Sequence, residues 1–361
     1  MNISNIIELI TGIALFLFGM TLMGEGLKQV AGNKLEIILY KLTGKPLKGL
    51  LFGAGVTTVI QSSSATSVMV VGFVNSGIMK VRQAIPIVLG AIFGTSITGW
   101  VICLSEIDAG SGWLILFSSA TLTCFTAFIG ICFRMFSKDR FKNHLGNVLL
   151  GFAILMFGMS VMSGAVAPLR ENDLFISIFT EFSNPLLGIL VGIVFTSILQ
   201  SASAAVGILQ ALAMTGSVQF DMALPLIMGI SIGASVPVLL SAIGATKDGK
   251  RTALAYLTSN TLGVILSAAV FYGLNAFMNF SFMNKTMTMA TVAALNSIYR
   301  LVIVAVLFPL NRQLEAISNR FVPSGNESKL DELPLKPLEE RFINHPTLAI
   351  EQCREAINDM A

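Results

Sequence analysis

The stretch Val59-Ile60-Gln61-Ser62-Ser63-Ser64-Ala65-Thr66-Ser67 decides how this chain is read. It divides an apolar segment into two parts, roughly 47–60 and 65–77. A helix needs about 20 residues to cross about 30 Å of hydrocarbon, so neither part spans a bilayer alone. The glutamine carboxamide is costly in lipid without partners. The segment is therefore expected to form a re-entrant hairpin of two half-helices with the serines at its tip, buried in protein or lining a cavity.

The rest of the chain supports a bilayer as its solvent. Apolar residues make up 54% of the 361 positions and charged residues 12%, against roughly 25% charged in soluble domains. Mean hydropathy is +0.79. Apolar stretches of crossing length fall near 5–27, 83–104, 112–133, 145–167, 222–243, 253–275 and 288–310. The segment from Met1 to Glu8 lacks a basic region and a cleavage site, so the first stretch reads as a retained span. Cys103, Cys124, Cys132 and Cys353 form no metal or disulfide spacing and read as packing residues.

A shift of 139 positions superimposes the two halves without a gap. Phe18-Gly19-Met20 falls on Phe157-Gly158-Met159, Gly53 on Gly192 and Thr57 on Thr196. Gln61-Ser62 meets Gln200-Ser201, and Ser64-Ala65 meets Ser203-Ala204. Pro86, Gly90, Gly94 and Ser96 meet Pro225, Gly229, Gly233 and Ser235. Gly-rich apolar sequence does not reproduce such a register by chance. Repeats of this kind mark secondary transporters, whose substrates sit at the repeat interface.

Charge gives an expected topology. With hairpins that enter and leave on one side, Lys28, Lys48, Lys80, Arg82, Arg134, Lys138, Lys247, Lys250, Arg251, Arg312 and Arg320 gather on one face, with Lys34, Lys41, Lys45, Arg140 and Lys142. Arg170 and Lys285 fall on the other, beside Glu106, Asp108, Glu171, Asp173, Glu181 and Asp221. The basic face is read as cytoplasmic, which puts the N-terminus outside and the C-terminus inside a bacterial-type inner membrane. Each unit has three crossings plus a hairpin, an odd number, so the second unit enters upside down. The expected fold is all-α: two inverted-topology repeats over 1–139 and 140–278, each with a re-entrant hairpin, an extra span in 279–311, and a cytoplasmic tail over 312–361.

At each tip the first half-helix presents free carbonyls and the second free N–H groups, so one tip can serve a cation and an anion. Serine hydroxyls cap N–H groups and, with carbonyls, suit a small hard cation. Ser64 and Ser203 are read as occupying the capping and ion-coordinating position. The following crossings carry Gly90 and Gly94-Thr95-Ser96, and Gly229 and Gly233-Ala234-Ser235, where weakened helix would line the same cavity. Close helix packing is the competing reading for any one of these small residues. Arg300 lies mid-span with Asn296 one turn earlier on the same face, a functional candidate by default. No nucleophile–base constellation is present, and His144 and His345 lie outside the predicted spans, so an enzyme is not expected.

These residues resemble the sodium/phosphate cotransporter family, whose hallmark is a Gln-Ser-Ser-Ser motif repeated in two inverted halves. Gln61 to Ser64 is similar to the first motif in full, and Gln200-Ser201-Ala202-Ser203 to a degenerate second. The Gly-x-Asn-x-Gly-Thr-Thr elements of the bacterial branch have counterparts at Gly90 to Ser96 and Gly229 to Ser235, with Ile92 and Ser231 in place of asparagine. Asn296-Ser297-Ile298-Tyr299-Arg300 resembles the branch's His-Thr-x-Phe-Arg element, and Pro337 to Glu351 resembles the entry to a PhoU-like helical domain.

The resemblance implies sodium-coupled phosphate symport by alternating access. Phosphate and sodium would bind at Gln61, Ser62, Ser63, Ser64, Gln200, Ser201 and Ser203, with oxygens from Thr95, Ser96 and Ser235 and support from Arg300 and Asn296. Sodium is placed near Gln61, Ser64, Gln200 and Ser203, as coupling ion rather than cofactor. Expected partners are inorganic phosphate, sodium and the lipid bilayer, with a homodimer allowed and nucleic acid excluded. A different anion such as a dicarboxylate, or a membrane phosphate sensor or efflux regulator, stands as the alternative.

Overall fold

In a computed structural model, residues 3–31, 46–75, 77, 79–106, 119–166 and 184–323 are described. They are helical, with no β-strand among them. The helices run α1 (Ile3–Ala31), α2 (Pro46–Ile60), α3 (Ser63–Asn75), α4 (Val81–Gly94), α5 (Ser96–Cys103), α6 (Ser119–Phe136) and α7 (Arg140–Val166). The order continues with α8 (Pro185–Leu199), α9 (Ala202–Ala213), α10 (Phe220–Gly233), α11 (Ser235–Ser241), α12 (Lys247–Met278), α13 (Met289–Leu307) and α14 (Asn311–Phe321).

Six segments are long and apolar enough to cross a membrane: Ser4–Val30, Val81–Cys103, Arg140–Met162, Phe220–Ser241, Lys247–Met278 and Met289–Leu307. Each overlaps an expected span. The seventh, 112–133, begins outside the described residues and continues as α6. Large apolar side chains face outward along these helices, among them Phe128 (66% exposed), Val270 (61%) and Ile298 (60%). A water-soluble surface rarely carries so much contiguous apolar area, whereas lipid accepts it.

The offset of 139 reappears as contacts. Helix α1 lies along α7, where a Cβ on Gly19 would stand 2.3 Å from the Leu155 nitrogen and one on Gly158 would stand 2.4 Å from the Phe16 nitrogen. Each contact is the other's repeat counterpart. Likewise α2 packs on α4 and α8 on α10, and a Cβ on Gly90 would meet the Leu50 carbonyl oxygen at 2.0 Å, one on Gly229 the Ile189 carbonyl oxygen at 2.1 Å. Glycine at these places lets backbones touch, and lipid-embedded helices associate by such packing.

Short polar contacts set the ends of the bundle. The Thr246 amide donates to Asn75 Oδ1 at 2.6 Å, and Arg251 Nε donates to the Val322 carbonyl at 2.9 Å. These join the start of α12, the α3–α4 turn and α14 at one end. At another place, the Phe220 amide donates to the Lys285 carbonyl and the Met287 amide to the Val218 carbonyl, tying the start of α10 to the approach to α13. Lys34, Lys41, Lys45, Asp108, Arg170, Glu171, Asp173, Glu181 and the tail beyond residue 323, with its PhoU-like resemblance, lie outside the described residues.

Candidate functional site

Both tips break their helices the same way. Gln61 has φ 58° and Gln200 has φ 53°, left-handed backbone at equal repeat positions. Left-handed backbone costs an L-residue with a side chain roughly 1–2 kcal/mol, and such strain gathers at functional sites. The helix ends there and the next one starts two residues on, at Ser63 and at Ala202. The expected capping assignment is corrected: Ser62 Oγ accepts from the Ala65 amide at 3.1 Å and Ser201 Oγ from the Ala204 amide at 3.3 Å. Ser201 has the extended backbone of an N-cap, with φ −146° and ψ 112°. Ser64 and Ser203 already lie inside the helix.

Their hydroxyls reach across the molecule instead. Ser64 Oγ donates to the Ala234 carbonyl, at the break between α10 and α11, and Ser203 Oγ donates to the Gln61 carbonyl, both at 3.4 Å. The first tip thus touches the broken crossing of the second copy, and the second tip touches the first. Thr57 and Thr66 hydroxyls pair at 3.0 Å beside the first tip. In the second copy Ala205 replaces the partner, and the buried Thr196 hydroxyl has none.

A denser polar cluster lies around Arg300. This side chain is fully buried, donating Nε to Asn296 Oδ1 at 2.8 Å and Nη1 to the Ile92 carbonyl at 3.2 Å. Its Nη2 and the Asn296 Nδ2 have no hydrogen-bond partner. No carboxylate pairs with it among the described residues, whose ion pair is Arg251 with Asp248. Tyr256, also buried, donates its hydroxyl to Ser63 Oγ at 3.3 Å. One turn on, Asn260 Nδ2 donates to Ser235 Oγ at 3.1 Å. Ser63 from the first copy and Ser235 from the second are therefore both bonded to side chains of α12.

The remaining expected residues are placed less evenly. Gln61 is buried, with Nε2 on the Thr58 carbonyl at 2.6 Å and Oε1 unpartnered. Gln200 is exposed. Thr95 and Ser96 are buried, but their hydroxyls bond carbonyls of their own turn, Ala91 at 3.1 Å and Phe93 at 2.7 Å. These two occupy the break without presenting a free hydroxyl hydrogen.

Sequence reading missed Tyr256, Asn260 and Gln210. Gln210 Nε2 bonds the Gly99 and Met289 carbonyls, each at 3.0 Å, fastening α9 to α5 and α13. The signal was available: a carboxamide inside an apolar helix needs partners, whether or not it sits in a motif. A buried guanidinium with a free donor and, among the described residues, no carboxylate paired with it is suited to hold an oxyanion.

The Na+/Pi-cotransporter family model matches residues 15–164 and 167–295. The chain is 30% identical over 255 residues to "Uncharacterized protein YqeW" of Bacillus subtilis, covering 70% of this chain and 78% of that protein. It is 26% identical over 347 residues to "Putative inorganic phosphate export protein YjbB" of Salmonella typhimurium, covering 96% of this chain. The match spans 61% of the length of that relative. A shorter match, 35% over 106 residues, links 28% of the chain to 15% of human "Sodium-dependent phosphate transport protein 2B". No solved structure matches the chain. The apolar spans and the family match together describe a multi-pass membrane protein, a transporter and not an enzyme. With the family match covering both repeats, this chain belongs to the Na+/Pi-cotransporter family.

Proposed function

We propose that this chain carries inorganic phosphate across the membrane with sodium as the coupling ion. The observation that carries the reading is Arg300: a wholly buried guanidinium, bonded to Asn296 and the Ile92 carbonyl and free at Nη2. An isolated charge at such depth is unfavourable by several kcal/mol unless a counterion joins it. Phosphate supplies that counterion. Sodium offsets the anion's remaining charge, and the free oxygens of Gln61 and Thr196 are of the kind a hard cation accepts.

In this reading the two copies are inverted in the bilayer, and α2–α3 and α8–α9 are re-entrant hairpins meeting near the midplane. The repeated glycine contacts and the left-handed glutamines support it. The Ser64–Ala234 and Ser203–Gln61 bonds are contacts that rocking of one copy against the other would break and remake. The end carrying Lys80, Lys247, Arg251 and Arg320 is cytoplasmic. Cysteine at Lys142 should then resist an impermeant thiol reagent applied to intact cells, while cysteine at Asp108 reacts.

Similarity to a relative named for phosphate export favours a second reading, in which the same site runs outward when the gradients direct it. Phosphate counterflow separates a carrier from a sensor. Proteoliposomes loaded with unlabelled phosphate should accumulate labelled phosphate against its gradient, whereas a sensor binds phosphate without turnover.

A further inference from the structure

Asn260 holds an amide whose orientation is fixed by chemistry. Its Nδ2 faces the Tyr256 carbonyl at 3.1 Å, and a carbonyl oxygen only accepts, so the nitrogen must lie on that side. The second Nδ2 hydrogen goes to Ser235 Oγ. Asn260 Oδ1 is left buried in the protein, with no hydrogen-bond partner. One turn earlier on α12, Tyr256 donates its hydroxyl to Ser63 Oγ at 3.3 Å. On the adjoining helices α12 and α13 the buried groups without a hydrogen-bond partner include the donors Arg300 Nη2 and Asn296 Nδ2 from α13 and the acceptor Asn260 Oδ1 from α12.

Such a set is not matched by every tetrahedral anion. Sulfate at neutral pH carries acceptors alone, and would satisfy the donors while setting a lone pair against Oδ1. Phosphate keeps at least one P–OH at the same pH and can donate it. We propose that Asn260 is a specificity-determining residue, whose Oδ1 accepts a hydrogen bond from the phosphate hydroxyl and so selects hydrogen-bearing tetrahedral oxyanions over sulfate. The inference rests on the phosphate reading above. A site built to bond a ligand hydroxyl rejects the analogue lacking it, because its own polar group is then stranded.

The test uses the full chain in detergent with saturating sodium, and binding of phosphate, sulfate and monofluorophosphate measured by titration calorimetry. Monofluorophosphate has nearly the size and the charge of hydrogenphosphate but P–F where phosphate has P–OH. Wild-type protein should bind phosphate roughly 10- to 100-fold more tightly than either analogue. Asn260→Leu should lose phosphate affinity by about that factor and leave the analogues nearly unchanged, closing the gap. Equal weakening of all three would make Asn260 structural and overturn the proposal. Should Asn260→Leu fail to fold, the wild-type comparison decides: equal affinity for phosphate and monofluorophosphate refutes the hydroxyl contact while leaving phosphate transport standing. Binding of none of the three would overturn both readings.

Discussion

The Ser203 hydroxyl of the second tip donates to the Gln61 carbonyl of the first at 3.4 Å, across 142 positions of sequence. That carbonyl belongs to the residue whose left-handed backbone ends α2. The strained end of α2 is therefore fastened to α9. Ser203→Ala removes one long hydrogen bond, weaker than an ordinary one worth about 1 kcal/mol, so the protein should still fold. Sodium-dependent phosphate uptake should fall, and adding Ser64→Ala should produce a loss different from the sum of the single effects. Additive changes would mean that the two contacts do not act within one moving unit.

Ser62 and Ser201 serve a different purpose, as N-caps of α3 and α9. Alanine at either should lower stability by about 1 kcal/mol. Thermal unfolding in detergent reads this directly. The same melting temperatures should be nearly unmoved by Ser64→Ala, whose hydroxyl makes one long cross-molecule contact and no cap.

The repeat makes a paired prediction at Gly90 and Gly229. Alanine at each drives a Cβ into a backbone carbonyl at about the same distance, 2.0 and 2.1 Å. Both should cost about 3 kcal/mol, read as matched losses of folded yield or melting temperature. A severe effect at one and none at the other would contradict the equivalence of the helix pairs.

Arg300→Lys keeps the charge and gives up the planar fork that bonds Asn296 and the Ile92 carbonyl together. Phosphate uptake should drop at least tenfold while membrane insertion stays normal. Unchanged uptake would return Arg300 to a helix-fastening role.

Much of this is legible in the sequence, for a physical reason. Backbone contacts as close as Gly90 to Leu50 admit no side chain, so glycine identity survives in both copies and exposes the register. Helical spacing puts Asn296 and Arg300 on one face, and the structure adds the bond between them. Tip chemistry was less legible. Left-handed backbone usually goes to glycine or asparagine, and nothing in Gln61 or Gln200 announces it, so the caps were placed two residues late. Tyr256 and Asn260 were hidden because they sit on α12, where no motif repeats and only a narrow polar face interrupts a long apolar span.

The central claim, that sodium drives phosphate through a site containing Arg300 and Ser63, is tested most directly by uptake of radiolabelled phosphate into proteoliposomes under imposed gradients. An inward sodium gradient should drive accumulation. A proton gradient of equal size should not, and Ser63→Ala, which removes the partner of the Tyr256 hydroxyl, should reduce sodium-driven uptake. Accumulation that ignores sodium, or follows protons, would contradict the account.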